Sequence, residues 1–254
     1  MSVYKIHILN IDVSAITEHE LLERFHQGVL FTPNLDHLVR LQKDKEFYRD
    51  YRRADWIVCD SRILLLCSKL LGKSFPEAVP GSGFFHVYCD YHKDDANCRI
   101  FLLGSKENTA NLAMGKINSR LGRNIVVDAL SPSMGFDQNE DECRLIVERI
   151  KRSGANVVLV GVGSPKQEKW IMKWKDQMPN VKTWMALGAT IDFESGLSHR
   201  PPMIWRRLCM EWFYRFLHDP RRLFRRYFID DMKFFWYFGK QLLGIYKDPF
   251  IGTR

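Results

Sequence analysis

Residues 156–168, Asn-Val-Val-Leu-Val-Gly-Val-Gly-Ser-Pro-Lys-Gln-Glu, decide the fold. Asn156–Val160 ends in an unbroken β-branched and aliphatic run, the composition of a strand buried on both faces of a parallel sheet. Gly161 and Gly163 follow, and Pro165 stands at the first position of the next helical pattern, Pro165–Gln177, a place that proline suits. A strand, a glycine turn and a helix start point backbone N–H groups and a helix dipole at an anion. The turn is not a dinucleotide fingerprint, because the third glycine of G-x-G-x-x-G falls on Lys166. It lacks P-loop spacing as well. It reads as an anion site of the kind a nucleotide uses.

The same alternation extends to both sides. Strand candidates are Tyr4–Leu9, Val29–Thr32, Trp56–Cys59, Arg99–Leu103, Asn124–Val127 and Lys182–Leu187. Between them lie helical patterns at Glu18–Gln27, Asp36–Tyr51, Arg62–Leu71, Lys106–Leu121 and Asn139–Ser153, and Thr17-Glu18-His19-Glu20 reads as a capping box for the first. Alternating β and α units predict a doubly wound, Rossmann-like parallel sheet over residues 1–199, with ligands at the carboxyl ends of its strands. A polar segment at 91–97 marks a junction between two halves of the sheet.

After Pro201-Pro202 the pattern becomes helical at Ile204–Leu217, Arg221–Ile229 and Asp231–Leu243, a C-terminal appendage over 200–254. The net charge of +8 is concentrated there: residues 200–254 hold 12 Lys/Arg against 5 Asp/Glu and 15 of the 33 aromatic residues. Arg221, Arg222, Arg225 and Arg226 project to one helical side, and Leu223, Phe224, Tyr227 and Phe228 to another. Such a segment suits an anionic partner, and interfacial aromatics beside arginines favour a membrane-binding helix lying at the headgroups over nucleic acid. No apolar stretch reaches the roughly 18 residues of a membrane span, and the N-terminus lacks a signal-peptide core. The six scattered cysteines, without a C-x-x-C pair, suit reduced thiols and a cytoplasmic location.

The loops at the expected ligand edge carry the candidate chemistry. Phe31-Thr32-Pro33-Asn34 follows one strand. Asp60 follows another, where it serves either as a general base toward a bound hydroxyl or as the N-cap of the helix at Arg62–Leu71. Leu187–Phe193, with Asp192, follows the last strand and completes the pocket. The histidines lack metal-ligand spacing and read as structural or solvent-facing, and there is neither an Asp-x-Asp pair nor a G-x-S-x-G elbow. Two other readings stay open on these residues, an NAD(P)-dependent oxidoreductase and a basic nucleic-acid-binding protein.

At these loops the sequence resembles the WecG/TagA/CpsF family of glycosyltransferases. The matching pieces are Thr32-Pro33-Asn34, Asp60, Pro80-Gly81, Val160–Trp170, Gly188–Phe193, Glu211–Arg215 and Asp219–Arg222, with Arg225-Arg226-Tyr227 behind them. The resemblance implies an inverting, metal-independent enzyme with no cofactor. It would move a sugar from a UDP-sugar to a polyprenyl-diphosphate-linked saccharide at the cytoplasmic face of the membrane, as a peripheral protein and in some cases a homo-oligomer. It implies Asp60 as base with Thr32 and Asn34 beside it. Gly161, Gly163, Pro165 and Gln167 would contact the donor, and Asp192 would belong to the nucleotide pocket. Arg215, Arg222 and Arg225 would approach the donor diphosphate. The chain departs from the family pattern at Ser61, Ala78 and Gly83, where glycine, arginine and aspartate are usual. These positions flank the expected sugar pocket, so the resemblance does not name the donor sugar.

Overall fold

The computed structural model describes residues 3–198, Trp205 and 211–251. The Pro201-Pro202 boundary, Cys209 and the side chains of Arg215 and Arg222 lie outside the described residues. Strands β1 (Lys5–Ile8) and β2 (Ile11–Ser14) form an antiparallel hairpin. Six further strands, β3 (Gly28–Phe31), β4 (Trp56–Ile57), β5 (Ile100–Gly104), β6 (Val126–Leu130), β7 (Val157–Gly161) and β8 (Thr183–Ala186), form a parallel sheet in the order β4-β3-β8-β7-β5-β6. Every residue of β5, β7 and β8 is buried, which is why these runs carry no polar alternation.

Helices cover both faces. On one face α2 (Leu35–Arg40), α3 (Lys45–Arg52), α4 (Arg62–Leu70), α7 (Glu140–Ser153) and α8 (Lys166–Trp174) pack against Phe31, Phe101, Leu103, Val158 and Val160. On the other, α1 (Glu18–Arg24), α5 (Gly81–Tyr91), α6 (Thr109–Leu121) and α9 (Thr190–Glu194) pack against Leu30, Ile100, Leu102 and Leu159. Alternate residues of one strand thus feed two separate cores. The appendage contributes α10 (Glu211–His218), α11 (Pro220–Arg225) and α12 (Met232–Leu242).

The doubly wound parallel sheet matches the expectation, and the capping box forms as read: Glu20 N–H donates to Thr17 Oγ1 and Thr17 N–H to Glu20 Oε2. Three local readings change. Tyr4–Leu9 was a candidate for the parallel sheet. Its strand instead pairs with β2 and approaches the sheet through a single bridge from Ser14 to Val58. The helix expected over Asp36–Tyr51 is two helices, because Asp44 caps a new start by accepting the Phe47 N–H at 3.0 Å. Helix α5 was missed, since Gly81-Ser82-Gly83 is a poor helix opening by propensity and the burial of Phe84, Phe85 and Tyr88 overrides it.

The last helix is not a free tail. Phe234 and Phe238, one turn apart on α12, are 0% and 3% exposed and belong to the core that holds Phe31 and Tyr51. Gln241 accepts the Leu9 N–H of the hairpin turn through Oε1 and donates from Nε2 to the His7 carbonyl. Beyond it the Tyr246 hydroxyl donates to Gln42 Oε1, and Asp248 accepts from the Tyr48 hydroxyl. The aromatic run 234–238 is therefore divided: Phe234 and Phe238 face inward, while Phe235 and Trp236 face solvent. Phe234→Ala should lower unfolding stability by about 3–5 kcal/mol in urea titrations, the usual cost of emptying a phenylalanine site. Trp236→Ala, at a side chain 67% exposed, should stay within about 0.5 kcal/mol of the parent.

Candidate active site

The site begins with backbone geometry. From β5 the chain moves to β6 on one side, and from neighbouring β7 it moves to β8 on the other. The carboxyl ends of β5 and β7 are therefore the switch point at which a doubly wound sheet opens a crevice. Gly104 and Gly161 stand opposite each other there. Gly104 has φ +146°, and a Cβ on it would fall 2.4 Å from the Gly161 carbonyl oxygen. A Cβ on Gly161 would fall 2.8 Å from the Gly188 carbonyl oxygen. Only side-chain-free residues allow these three strand ends to close into a floor. Above the floor lies a cavity of about 1520 Å³.

One end of the cavity is formed by the loops after β5, β6 and β7. Gly161, Gly163 and Gln167 line it, whereas Pro165 sits at the start of α8 and is not part of the lining. Asp192 lines it from α9 and accepts a hydrogen bond from the Ser105 hydroxyl, which stands in the left-handed conformation just after β5. The Gln167 amide is locked: Oε1 accepts the Gly163 N–H at 3.1 Å, and Nε2 donates to Glu168 Oε1 at 2.8 Å. Glu168 is fully buried. Among the described residues its Oε2 has no hydrogen-bond partner within bonding geometry, and burial pushes its pKa up to about 7.

The other end is formed by the loops after β3 and β4. Thr32, Asn34, Asp36, His37, Asp60 and Gly81 all line it. Asn34 caps α2, its Oδ1 accepting the His37 N–H at 3.2 Å. Asp60 does not cap α4: that position belongs to Ser61, whose Oγ accepts the Leu64 N–H at 3.2 Å. The serine found where the family usually has glycine thus takes over the capping role. Asp60 Oδ1 instead accepts the Gly81 N–H at 3.0 Å, at the start of α5. Gly81 also abuts Thr32, since a Cβ on it would lie 3.2 Å from Thr32 Oγ1. Thr32, Asn34 and Asp60 are thereby gathered at one end.

The appendage adds a wall of Tyr214, Asp219, Leu223, Arg226 and Tyr227. Arg226 Nη2 lies 3.8 Å from Asp36 Oδ2. Arg225 has a side chain 83% exposed, lies 3.9 Å from Asp230 and is not among the lining residues. Arg225 and Arg226 therefore do not share one side. A π-helical turn at Arg226–Asp230 follows α11, and across the α11–π junction Leu223, Arg226 and Tyr227 face the cavity while Phe224, Arg225 and Phe228 face away.

Sequence reasoning missed Arg226, Ser105, the Ser131–Phe136 loop and His37. The first three carried a usable signal, because each follows a strand end or extends the arginine series. His37 had none beyond its place three residues after Asn34. Among the described residues Cys59, Cys67, Cys89, Cys98 and Cys143 are buried free thiols.

Glu168 supplies a pH test of this geometry. Its folded pKa lies above the ordinary 4.5, so the folded state holds the proton more tightly. Its contribution to stability is then fully present below pH 4.5 and is lost as pH rises through about 7. Glu168→Gln should therefore gain melting temperature over the parent at pH 8, with a difference on the order of a few kcal/mol that shrinks toward pH 5.

Residues 6–248 match the model of the glycosyl transferase WecG/TagA/CpsF family. The match runs from β1 to the segment after α12 and so takes in the sheet, both ends of the cavity and the appendage wall. The chain belongs to the WecG/TagA/CpsF family, glycosyltransferases of cell-envelope polysaccharide synthesis.

Proposed function

We propose that the protein is an inverting, metal-independent transferase. It moves a sugar from a UDP-sugar to a polyprenyl-diphosphate-linked saccharide while resting on the cytoplasmic face of the membrane. The observation that carries this reading is that a single cavity joins a glycine turn at a helix start, the Asp60 carboxylate on the loop after β4 and an arginine-bearing wall. Its volume of about 1520 Å³ exceeds the roughly 300–1,000 Å³ of an ordinary ligand pocket, as a site for two substrates requires.

In this reading the UDP moiety lies over the Gly161–Gln167 turn, near Ser105 and Asp192, and the acceptor lies over Thr32, Asn34 and Asp60. Asp60 takes the proton from the acceptor hydroxyl as that oxygen bonds to the anomeric carbon. The bond from that carbon to the UDP oxygen breaks on the opposite face, so the configuration inverts. UDP leaves with the bonding electron pair, and the guanidinium groups of Arg215, Arg222 and Arg226 neutralise the charge on its diphosphate, while Arg225, which faces away from the cavity, takes no part.

The membrane part of the reading rests on the outer surface of the appendage. Phe224, Phe228, Ile229, Met232, Phe235 and Trp236 are exposed there beside Arg221 and Arg225. Apolar rings flanked by arginines suit the headgroup region, where each basic residue contributes on the order of 1 kcal/mol on an anionic leaflet. Among the described residues no helix is long and apolar enough to cross a bilayer.

Asp60→Asn should lower turnover by about 10²–10⁴-fold, the usual contribution of a general base, with UDP-sugar binding by calorimetry unchanged. Full turnover in this variant would move the base elsewhere. In flotation assays the protein should rise with vesicles containing phosphatidylglycerol and stay behind in neutral ones. Phe228→Glu with Trp236→Glu should abolish flotation without altering the circular dichroism melt.

A further inference from the structure

Among the cavity-lining side chains that the proposed reaction leaves unused is a buried histidine. His37, on α2, lines the acceptor end and is 6% exposed. Its Nδ1 lies 2.5 Å from the hydroxyl of Tyr51, a fully buried residue of α3. The imidazole meets the rings of Phe47 and Tyr51 edge-on, which fixes its plane.

The tautomer follows from hydrogen-bond accounting. Burial, with the nearby carboxyls of Glu168, Asp60 and Asp36, holds the Tyr51 phenol well above its ordinary pKa, so the hydroxyl keeps its proton. That proton needs an acceptor, and the partner of the hydroxyl is His37 Nδ1. Nδ1 therefore carries no hydrogen. His37 is also held neutral: burial pushes its pKa down to about 3 against the pull of Asp36, and Arg226 and Arg40 act in the same direction as burial. The single ring proton stands on Nε2, the nitrogen turned away from Tyr51 and left for the cavity.

Building on the acceptor assignment above, we infer that His37 Nε2–H binds a neutral oxygen of the acceptor sugar, a hydroxyl or an acetamido carbonyl, and so sets which acceptor is held against Asp60. Tyr51 is the positioning residue that fixes the donor. Three observations select a neutral oxygen of the acceptor. An uncharged N–H at the end of the cavity that also holds the carboxylates of Asp36 and Asp60 favours a neutral oxygen over a phosphate. Arg226 is present on the same wall for any anion. In the sheet order β8 separates β3 and β4, whose loops hold His37 and Asp60, from β7, whose turn faces the donor. A site built to donate to an oxygen also rejects a sugar that lacks it, because the N–H would be left unpaired.

The test uses the full chain, a UDP-sugar that the wild type turns over, and a short-chain polyprenyl-diphosphate-linked N-acetylglucosamine as acceptor. His37→Asn, whose amide reaches the Nδ1 position only, should raise the acceptor KM about tenfold or more, the cost of one lost hydrogen bond to a buried donor. The donor KM and the melting temperature should stay near wild type. His37→Gln, whose amide nitrogen reaches the Nε2 position, should restore the acceptor KM to within about threefold. Independently of turnover, ¹⁵N-edited spectra of wild-type histidines should show one neutral ring protonated at Nε2 and unchanged from pH 5.5 to 8, with Tyr51→Phe releasing it into a tautomer mixture. An unchanged acceptor KM in His37→Asn, an equal rise in both KM values, or a ring protonated at Nδ1 overturns the inference while leaving the transferase reading intact. If the wild type transfers no sugar to lipid-diphosphate acceptors, the transferase reading fails first and this inference falls with it. If His37→Asn does not fold, the wild-type and Tyr51→Phe spectra still decide the tautomer on which the inference stands.

Discussion

Gly104 and Gly161 meet without side chains, and the site is arranged around that contact. Any Cβ on Gly104 would strike the Gly161 carbonyl, and any Cβ on Gly161 would strike the Gly188 carbonyl. Three strand ends can therefore sit flush, and the chain leaves β5 and β7 in opposite directions over a smooth floor. The consequences spread outward. Ser105 enters the left-handed region immediately after Gly104 and reaches Asp192. The turn after Gly161 brings the Gly163 N–H to Gln167. The cavity exists because small residues stand where a larger one would fill it.

Electrostatics at the two ends of the cavity are of different kinds. The turn after β7 offers backbone N–H groups and a helix start, and behind it stands a buried acid with a raised pKa rather than a free negative charge. The opposite end offers carboxylates, Asp36 and Asp60, each already answered by a donor: Arg40, with Arg226 close by, for the first and the Gly81 N–H for the second. An anion is favoured at one end, and a neutral polyhydroxyl group at the other. That division follows the strand order, because the loops of β5, β6 and β7 cannot exchange places with those of β3 and β4.

The sheet was legible because burial on both faces leaves its mark on composition: β5 and β7 carry no polar side chain, and β8 carries one, Thr183. The glycine turn and the strand-end acid were legible because the topology says where ligands bind. What escaped has a common cause in long-range packing. Helix α5 opens on Gly-Ser-Gly and is held by Phe84, Phe85 and Tyr88, none of which is visible as helical propensity. The inward turn of Arg226 against the outward turn of Arg225 depends on which face of the appendage packs over the cavity, which its own helical periodicity does not say. His37 carries a defined proton only because Tyr51, 14 residues away on another helix, takes its Nδ1. The split of the aromatic run 234–238 was hidden for a related reason. Amphipathicity there is read against a protein surface that the sequence alone does not draw.

The bond between the Leu9 N–H and Gln241 spans 232 positions of the chain. Contacts of such sequence separation are slow to form, since the loop-closure entropy is lost before the contact rewards it. A chain emerging residue by residue makes its hairpin first and leaves that turn uncapped until almost everything else has been synthesised. Phe234 and Phe238 likewise close a core whose other members were made far earlier. The helices that arrive last both seal that core and wall the cavity, so a prematurely ended chain lacks a finished site and keeps an exposed apolar face. The same C-terminal segments thus complete the core and the cavity wall together.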